Sequence, residues 1–360
     1  MITGTFPPGK CGVGDYSYSL AKALTHDRDV HVAVLTSAFC GNGKAPERFE
    51  VYPVIDQWRL VEALKVIKIV RRWSPDIVHI QYPSQGYGKR LLPWFLPMIA
   101  YLMGARVVQT WHEGYSRRNA VGFLLKAVVP SRIVVVRPDY KKELRPLFRW
   151  IATKKKFVFI RNASSIPKLV LVDAEKAELR AHYLRGQKRL LVFFGFVYPH
   201  KGVEQLFEIA NPVLDQIVIA GEVREGDAYR KSILERASQD PWRGKVTVTG
   251  FIPARDVAAL LAVADAVVLP FRVGGGEWNT SIHASVLQGT FIITTSLTRN
   301  GYDKKYNIYY AKLDDTQEMK SALQTHAGAR RENNAELDRD EWQQIAIEHN
   351  LLYKSLLLNE

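Results

Sequence analysis

The chain has 360 residues, 47% of them hydrophobic, and its 50 Lys and Arg against 36 Asp and Glu give a formal net charge of +14. This length indicates two domains, and an ordinary 24% of charged residues excludes a disordered chain. Only two cysteines, Cys11 and Cys40, exclude a disulfide framework and a Cys-rich zinc site, and no apolar run has the length of a membrane span.

The excess positive charge belongs to the first half of the chain. Residues 1–164 contain 26 Lys and Arg against 11 Asp and Glu, a net of +15, whereas the remaining residues have a net of −1. Such asymmetry indicates an anionic partner: a membrane surface, a phosphorylated substrate or nucleic acid. A solvated basic face without a specific partner is the alternative. We expect no nucleic-acid partner, because the sequence contains no recognition motif for one.

The first half alternates short runs rich in Val and Ile with amphipathic stretches. Predicted strands span 2–5, 30–36, 76–81, 106–110, 132–136 and 157–161, and predicted helices lie near 15–26, 57–73, 91–103, 119–129 and 138–149. Continuous apolar runs are typical of parallel strands that are buried on both faces. The alternation therefore predicts βαβ units around a doubly wound sheet.

The second half repeats this scheme. Predicted strands span 189–195, 216–220, 245–249, 265–269, 291–295 and 307–310, with helices near 203–210, 228–239, 254–263, 280–289 and 315–326. We predict an α/β protein in which two Rossmann-like doubly wound domains, 1–164 and 188–337, face a central cleft and are joined by a hinge at 165–187. Residues 338–360 are expected to form a helix that crosses back to the first domain, because one apolar stripe repeats at steps of three and four: Trp342, Ile345, His349, Leu352 and Leu356.

Loops that follow strands are the candidate binding segments, because ligands of doubly wound sheets bind beyond the carboxyl ends of the strands. The loop at 6–24 carries Gly9, Gly12 and Gly14 before a helix, a pattern that suits an anion at a helix N-terminus. It departs from the dinucleotide fingerprint, since Ser17 stands where the third glycine would be. A tight turn without a ligand is the alternative.

Polar residues follow the strand at 106–110. His112 and Glu113 come directly after it, and Arg117 and Arg118 follow. A polar pair at a strand end can hydrogen-bond a sugar or transfer a proton, although a histidine there is often structural.

Two loops of the second half carry phosphate-binding features. Lys201 follows the strand that ends at Gly195, and a Lys beside a helix N-terminus suits a phosphate. Asn279, Thr280 and Ser281 begin a helix after the three glycines at 274–276. A diphosphate at that N-terminus is the favoured interpretation, and simple capping is the alternative.

In this order, these segments resemble the GT-B glycosyltransferases of family 4 over nearly the whole chain. The matching strings are FPP…GVGDY…LAKAL near the start, DIVHIQYP (76–83), the histidine at 112, GFVYPHKG (195–202), VTVTGFIP (246–253) and ADAVVLPF (264–271). The resemblance implies transfer of a sugar, of hexosyltransferase type, from a nucleotide diphosphate sugar with retention and without a metal or a bound cofactor.

The resemblance also implies roles for individual residues. Lys201 would hold the donor diphosphate, His112 would contact the transferred sugar, and Glu277 would match the first of two glutamates found in the family. Further donor-binding positions would be Gly12, Gly14, Gly195, Gly250, Ile252, Asn279, Thr280 and Ser281. The chain departs from the family at Phe196, where Arg is common, at Glu113, where Asp is usual, and at Ser285, where the second glutamate would stand.

We expect the basic first domain to hold the acceptor, which would be a glycan, a lipid-linked molecule or another anion. Segment 89–106 is apolar with basic ends, and it either lies in a membrane interface or forms a buried helix. Candidate acceptor or membrane contacts are Lys65, Lys68, Arg72, Lys89, Arg90, Trp94, Arg117 and Arg118.

Two other functions remain open: a nucleotide-sugar epimerase on the same fold, and a non-catalytic nucleotide-sugar-binding partner. The first residues contain no apolar signal segment, so the expected location is the cytoplasm, either free or attached peripherally to the inner face of the membrane.

Overall fold

The computed structural model describes residues 1–358 except 42–47, 114–119, 139, 145, 147–148, 150–152, 154–155, 223–227, 277, 333 and 335–339. The chain divides into two compact units. Met1–Ala163 together with Asp340–Glu360 forms the first unit, and Ser164–Arg339 forms the second unit.

The first unit is built on parallel strands. These are β1 (Ala33–Ser37), β2 (Glu50–Ile55), β3 (Ile77–Tyr82), β4 (Arg106–Trp111), β5 (Arg132–Val135) and β6 (Phe157–Phe159). Strand β1 pairs with β2, and the others pair in the order β3-β4-β5-β6. Ile2 joins the two sets, since it forms parallel bridges to Leu35 and to Ile80.

Helices cover both faces of this sheet. They are α1 (Gly12–Leu24), α2 (Ala63–Trp73), α3 (Leu92–Leu102), α4 (Ala120–Ala127) and the short α5 (Tyr140–Glu143). Helices α2, α3 and α4 pack in one buried cluster with Val107 and Ile133, whereas α1 packs in another with Val108 and Val134. Neighbouring residues of β4 and β5 therefore point to opposite apolar layers, as in a sheet with helices on both faces.

The second unit contains a seven-stranded sheet. Its strands are β7 (Arg189–Phe194), β8 (Asp215–Ala220), β9 (Val246–Val248), β10 (Ala266–Leu269), β11 (Ile292–Thr295), β12 (Gly301–Asp303) and β13 (Ile308–Ala311), in the order β12-β13-β11-β10-β7-β8-β9. All neighbours are parallel except β12 and β13. Its helices are α6 (Asp173–Leu184), α7 (Leu206–Ile209), α8 (Ala228–Ser238), α9 (Ala254–Val263), α10 (Thr280–Leu287) and α11 (Thr316–His326).

The C-terminal helix α12 (Glu341–Leu358) belongs to the first unit. Ile345 and Leu352 are buried in the cluster that also contains Tyr16 and Leu20 of α1. The apolar stripe of α12 thus packs against α1. None of the helices in the described ranges is long and apolar enough to cross a bilayer.

Parallel sheets with covering helices confirm the predicted pair of Rossmann-like domains, but several elements differ from the prediction. The strand expected at 2–5 is reduced to the bridges of Ile2. Strand β2 was not expected because it contains Pro53, which an edge strand tolerates. Segment 165–187, expected as a hinge, contains α6, whose partly buried Leu179 and Tyr183 pack on the core of the second unit.

Candidate functional site

In the second unit, the loops that follow β7 and β10 meet at the carboxyl edge of the sheet. Gly195 has φ +136°, and a Cβ atom there would lie 3.1 Å from Ser281 Oγ. Gly202 has φ +65°, and its Cβ would lie 2.2 Å from the carbonyl oxygen of Pro270. Both positions therefore need glycine, and both bring the loop after β7 against the chain that enters α10.

Lys201 lies within this contact. Its Nζ is 4.2 Å from the centre of the Phe271 ring, a distance at which an ammonium is attracted to an aromatic face. The neighbouring Arg272 is ion-paired, with Nη1 2.8 Å from Asp314 Oδ1 and Nε 3.0 Å from Glu204 Oε1. Lys201 and Arg272 thus place two positive charges beside Phe271, and two acids partner Arg272.

The N-terminus of α10 presents backbone donors beside Gly195. Asn279 is the N-cap residue, but its Oδ1 accepts from the Gly276 N–H at 2.9 Å instead of capping the helix. Among the described residues, the N–H groups of Thr280 and Ser281 have no hydrogen-bond acceptor. Free N–H groups at the positive end of a helix dipole favour an anion. We name Gly195, Lys201, Thr280 and Ser281 the second-unit cluster.

The three glycines before α10 serve the packing of the chain itself. Gly274 has φ +80°, and a Cβ on Gly275 would lie 2.6 Å from Thr294 Oγ1. A Cβ on Gly276 would lie 2.3 Å from the ring of Trp278. Each of the three glycines therefore has a local reason in the packing of the chain and is not evidence of an approaching ligand.

The loop after β9 lies near the edge of the same sheet. Gly250 has φ +68° and open space around its α-carbon, whereas Ile252 packs half-buried against the core. The backbone at Gly250 is thus open to a nucleobase, whereas the side chain of Ile252 packs on the core of the second unit.

In the first unit, His112 comes directly after β4. Its backbone N–H donates to the carbonyl of Tyr82 at 2.7 Å, and its Nε2 lies 2.9 Å from Gln81 Oε1. The edge of Tyr16 packs against the ring, with centroids 4.5 Å apart. Burial, and to a lesser extent His349, lowers the pKa of His112 to about 3, so the ring is neutral at physiological pH.

Gly12 and Gly14 lie in the first turn of α1, since the helix begins at Gly12. A Cβ on Gly14 would lie 2.8 Å from the carbonyl oxygen of Thr5. The space beside Gly14 that a phosphate was expected to approach is therefore filled by the backbone of Thr5. Gly12 has nothing within 4 Å of its Cβ position and stays open.

Asp15 is a residue that the sequence analysis missed. It is half-buried in the first turn of α1, and burial raises the pKa of its carboxyl to about 6. Among the described residues, its carboxylate has neither a hydrogen bond nor an ion pair. The signal in the sequence is an acid placed directly after the glycines of GVGDY. We name Gly12, Asp15, Gln81 and His112 the first-unit cluster.

The basic residues predicted to meet an acceptor or a membrane fall into different settings. Lys65 is ion-paired, at 2.5 Å from Asp56 Oδ2 and 3.2 Å from Glu62 Oε1. Lys68 and Arg72 are exposed on α2. The three residues therefore share a helix, but Lys65 is already neutralised locally.

The remaining candidates surround α3. Lys89 and Arg90 are exposed just before it. Trp94 is half-buried, since its ring lies 3.0 Å from the Cβ position of Gly122 in α4, so it joins α3 to α4. Arg117, Arg118 and Glu277 lie outside the described residues. Across the described ranges, no group of three His, Cys, Asp or Glu side chains is placed to hold a metal ion.

Two family models match the chain, one in each unit. The model "Glycosyltransferase Family 4" matches residues 11–163, and "Glycosyl transferases group 1" matches residues 188–327. Among curated proteins, alpha-D-kanosaminyltransferase of Streptomyces kanamyceticus is 30% identical over 105 residues. That stretch is 28% of this chain and 26% of the relative, so the match spans about a quarter of each.

Solved structures match over the full length of the chain. Sucrose-phosphate synthase of Thermosynechococcus elongatus superposes with a TM-score of 0.72 at 16% identity, covering 100% of this chain and 98% of that one. Anabaena HepE, solved in complex with UDP-glucose, gives a TM-score of 0.72 at 14% identity over 99% and 98% of the two chains. Structural similarity at such low sequence identity establishes the fold alone. Together with the two family models, they place the chain in the GT-B glycosyltransferases of family 4.

Proposed function

We propose that this protein transfers a sugar from a nucleotide diphosphate sugar to an acceptor hydroxyl, with retention of configuration at the anomeric carbon. The observation that carries the proposal is the second-unit cluster, in which Lys201 and two backbone N–H groups without an acceptor among the described residues lie at one edge of a parallel sheet. A leaving diphosphate needs this combination of charge and backbone donors.

The second-unit cluster would act mainly on the leaving group. As the bond from the anomeric carbon to the diphosphate oxygen breaks, negative charge builds on that oxygen. Lys201 and the N–H groups of Thr280 and Ser281 would stabilise this charge. The acceptor oxygen would bond to the same face of the sugar, and its proton would pass to the departing phosphate oxygen. No protein nucleophile is then required.

The first-unit cluster would act on the sugar and the acceptor. His112 is neutral, so it would exchange hydrogen bonds with sugar hydroxyls without adding charge. Asp15 would accept a hydrogen bond from the acceptor hydroxyl, which would compensate a half-buried carboxylate that has no partner among the described residues.

We also propose that the acceptor is anionic or lipid-linked and that the first unit attaches to an anionic membrane surface. Val61, just before α2, and Leu64, in its first turn, are 77% and 74% exposed, and the exposed Lys68, Arg71 and Arg72 follow on the same helix. Exposed apolar side chains beside basic ones are typical of a helix that lies in a membrane interface. Leu102 of α3, a helix that contacts α2, adds an exposed apolar side chain.

A donor panel tests the proposed activity. The full-length protein is incubated with separate nucleotide diphosphate sugars, and the released nucleoside diphosphate and the sugar product are both measured. We expect at least one donor to release its diphosphate with a sugar of retained configuration. Conversion of the bound sugar to its epimer without release would favour an epimerase, and tight binding without any turnover would favour a non-catalytic partner; either result would overturn the proposal.

A further inference from the structure

A chain of hydrogen bonds runs from His112 to the C-terminal helix. His112 Nε2 is 2.9 Å from Gln81 Oε1, and Gln81 Nε2 is 3.2 Å from His79 Nε2. At its far end, His79 Nδ1 is 2.6 Å from the hydroxyl of Tyr353 in α12. All four residues belong to the first unit. The chain therefore links β4, β3 and α12 by polar contacts within one rigid layer of the fold.

The chemistry of the groups fixes which atom donates. The amide oxygen of Gln81 only accepts, so the Nε2 atom of His112 carries the hydrogen. The amide nitrogen of Gln81 only donates, so the Nε2 atom of His79 accepts and its Nδ1–H donates to Tyr353. The hydroxyl of Thr110, 2.7 Å from His79 Nε2, can donate to the same atom.

Burial keeps both rings in the neutral form that this pattern needs. It lowers the pKa of His79 well below the usual value and that of His112 to about 3. A neutral imidazole has one donor and one acceptor nitrogen, so each ring can take only one of two tautomers. The hydrogen-bond chain selects between them.

Helix α12 also supports His112 through aromatic contacts. The ring of Trp342 packs on Tyr16 with centroids 5.1 Å apart, and Tyr16 packs on His112 at 4.5 Å. On the polar route, His349 stacks on His79 with centroids 5.6 Å apart. Helix α12 thus holds the orientation of the His112 ring through Trp342 and Tyr16. It also carries Tyr353, which sets the hydrogen-bond chain that ends at His112.

We infer that Gln81, His79 and Tyr353 are positioning residues that hold His112 as its Nε2–H tautomer, so that its Nδ1 lone pair is available to a ligand. Among the described residues, Nδ1 of His112 has no hydrogen-bond partner. A group that meets this atom must donate, so the site would select a sugar with a hydroxyl there over one with a carboxylate. The kinetic consequence rests on the proposed sugar transfer; the tautomer does not.

The change Tyr353→Phe tests the inference. Without the phenol oxygen, His79 is free to carry its hydrogen on Nε2 and donate it to Thr110. The amide of Gln81 then reverses, and His112 changes to the Nδ1–H form. ¹⁵N NMR of the imidazole nitrogens distinguishes the two tautomers, and the loss of signals in His112→Asn assigns the ring. Tyr101→Phe, which alters an exposed tyrosine of α3, is the matched control.

Rescue separates positioning from a general loss of packing. A carboxylate can only accept, so Gln81→Glu in the Tyr353→Phe background should return His112 to the Nε2–H form. We expect kcat/KM to fall about tenfold in Tyr353→Phe, mainly through kcat, and to recover in the double variant. If Tyr353→Phe does not fold, Gln81→Met, which removes the acceptor, serves instead.

The tautomer of His112 tests the inference, and donor turnover tests the proposed function, so one can fail without the other. An unchanged His112 tautomer in the folded Tyr353→Phe or Gln81→Met protein would overturn the inference. A changed tautomer in a protein that turns over no donor, even in its unmodified form, would support the inference and contradict the proposed function.

Discussion

Asp15 is a half-buried carboxyl whose ionisation opposes folding. Its pKa is raised from 3.8 to about 6, so the folded protein holds this proton more tightly than the unfolded chain does. By linkage, the free energy of unfolding falls as the pH rises from 3.8 to about 6. At pH 7 the carboxylate is ionised in both states and its full destabilising effect is present. Residues with such a penalty are frequent at functional sites.

We therefore expect Asp15→Asn to be more stable than the unmodified protein at pH 7, by about 1–3 kcal/mol. The gain should shrink toward pH 3.5, where the native carboxyl is also neutral. Denaturant unfolding at both pH values measures it, with Asp29→Asn, a change at an exposed acid, as the control. Sugar transfer should fall in the same variant. A loss of stability at pH 7 would show that the carboxylate has a stabilising partner.

At the level of elements, α12 places a buried histidine, His349, against His79 of β3. His349 is fully buried and donates from Nδ1 to the carbonyl of Ile345 at 2.8 Å, whereas its Nε2 has no partner among the described residues. Burial lowers its pKa to about 4 and lowers the pKa of His79 well below the usual value. The unfolded chain therefore binds protons below pH 6.5 that the folded protein does not.

Stability should accordingly fall as the pH is lowered from 7 to 5, by about 2 kcal/mol for His349, and His79 should act in the same direction. Unfolding followed across this range measures the slope. His349→Leu should reduce the slope by up to one proton, and His31→Gln, at an exposed position, should leave it unchanged. A slope that His349→Leu does not alter would mean that His349 is protonated in the folded protein.

Helix α2 carries the proposed membrane contact. Neutralising the exposed Lys68, Arg71 and Arg72 to Gln should weaken binding to anionic vesicles about a hundredfold, since each of the three charges contributes about 1 kcal/mol. Lys65→Gln should have a smaller effect because Lys65 is paired with Asp56. Co-sedimentation at low and high salt measures the binding.

The control for this experiment removes equal charge from the second unit. Lys231, Lys304 and Lys312 are exposed, and their change to Gln should leave vesicle binding unaltered. Equal losses in both triple variants would indicate a response to net charge alone. Absence of binding at low salt would assign the basic unit to a soluble acceptor.

The sequence predicted elements best where one physical signal dominated. Val- and Ile-rich runs such as β7 and β8 were recognised because strands buried on both faces need apolar residues throughout. Helix α6 was missed, since none of its residues is buried and its pattern is mostly polar. The motifs predicted Lys201 and Ser281 as donor-binding residues, which stays a prediction, and they could not indicate that Gly14 contacts the backbone of Thr5, because that contact depends on tertiary packing.

At the scale of the whole molecule, the two clusters divide the proposed work. In the proposed function, the first unit, with its excess of basic residues, would supply His112 and Asp15 for sugar and acceptor, and the second unit would supply Lys201 and a helix N-terminus for the diphosphate. In this proposal, an ammonium and backbone donors would take the place of a metal in stabilising the charge of the diphosphate.

We therefore predict that a chelator leaves transfer unchanged. The protein is assayed with its best donor before and after treatment with EDTA and removal of the chelator. Equal rates are expected. A rate that disappears with EDTA and returns with added Mg²⁺ or Mn²⁺ would show that a divalent cation shares the diphosphate.

The most direct test of the account is the affinity of the full-length protein for the nucleoside diphosphate of its best donor, measured by calorimetry with and without Lys201→Ala. Loss of a charge-assisted contact of about 1.5–3 kcal/mol predicts a Kd that rises tenfold to about a hundredfold, with an unchanged unfolding transition. Lys188→Ala, which removes a lysine just before β7, should bind like the unmodified protein. An unchanged Kd in Lys201→Ala would contradict the assignment of the diphosphate to the second-unit cluster.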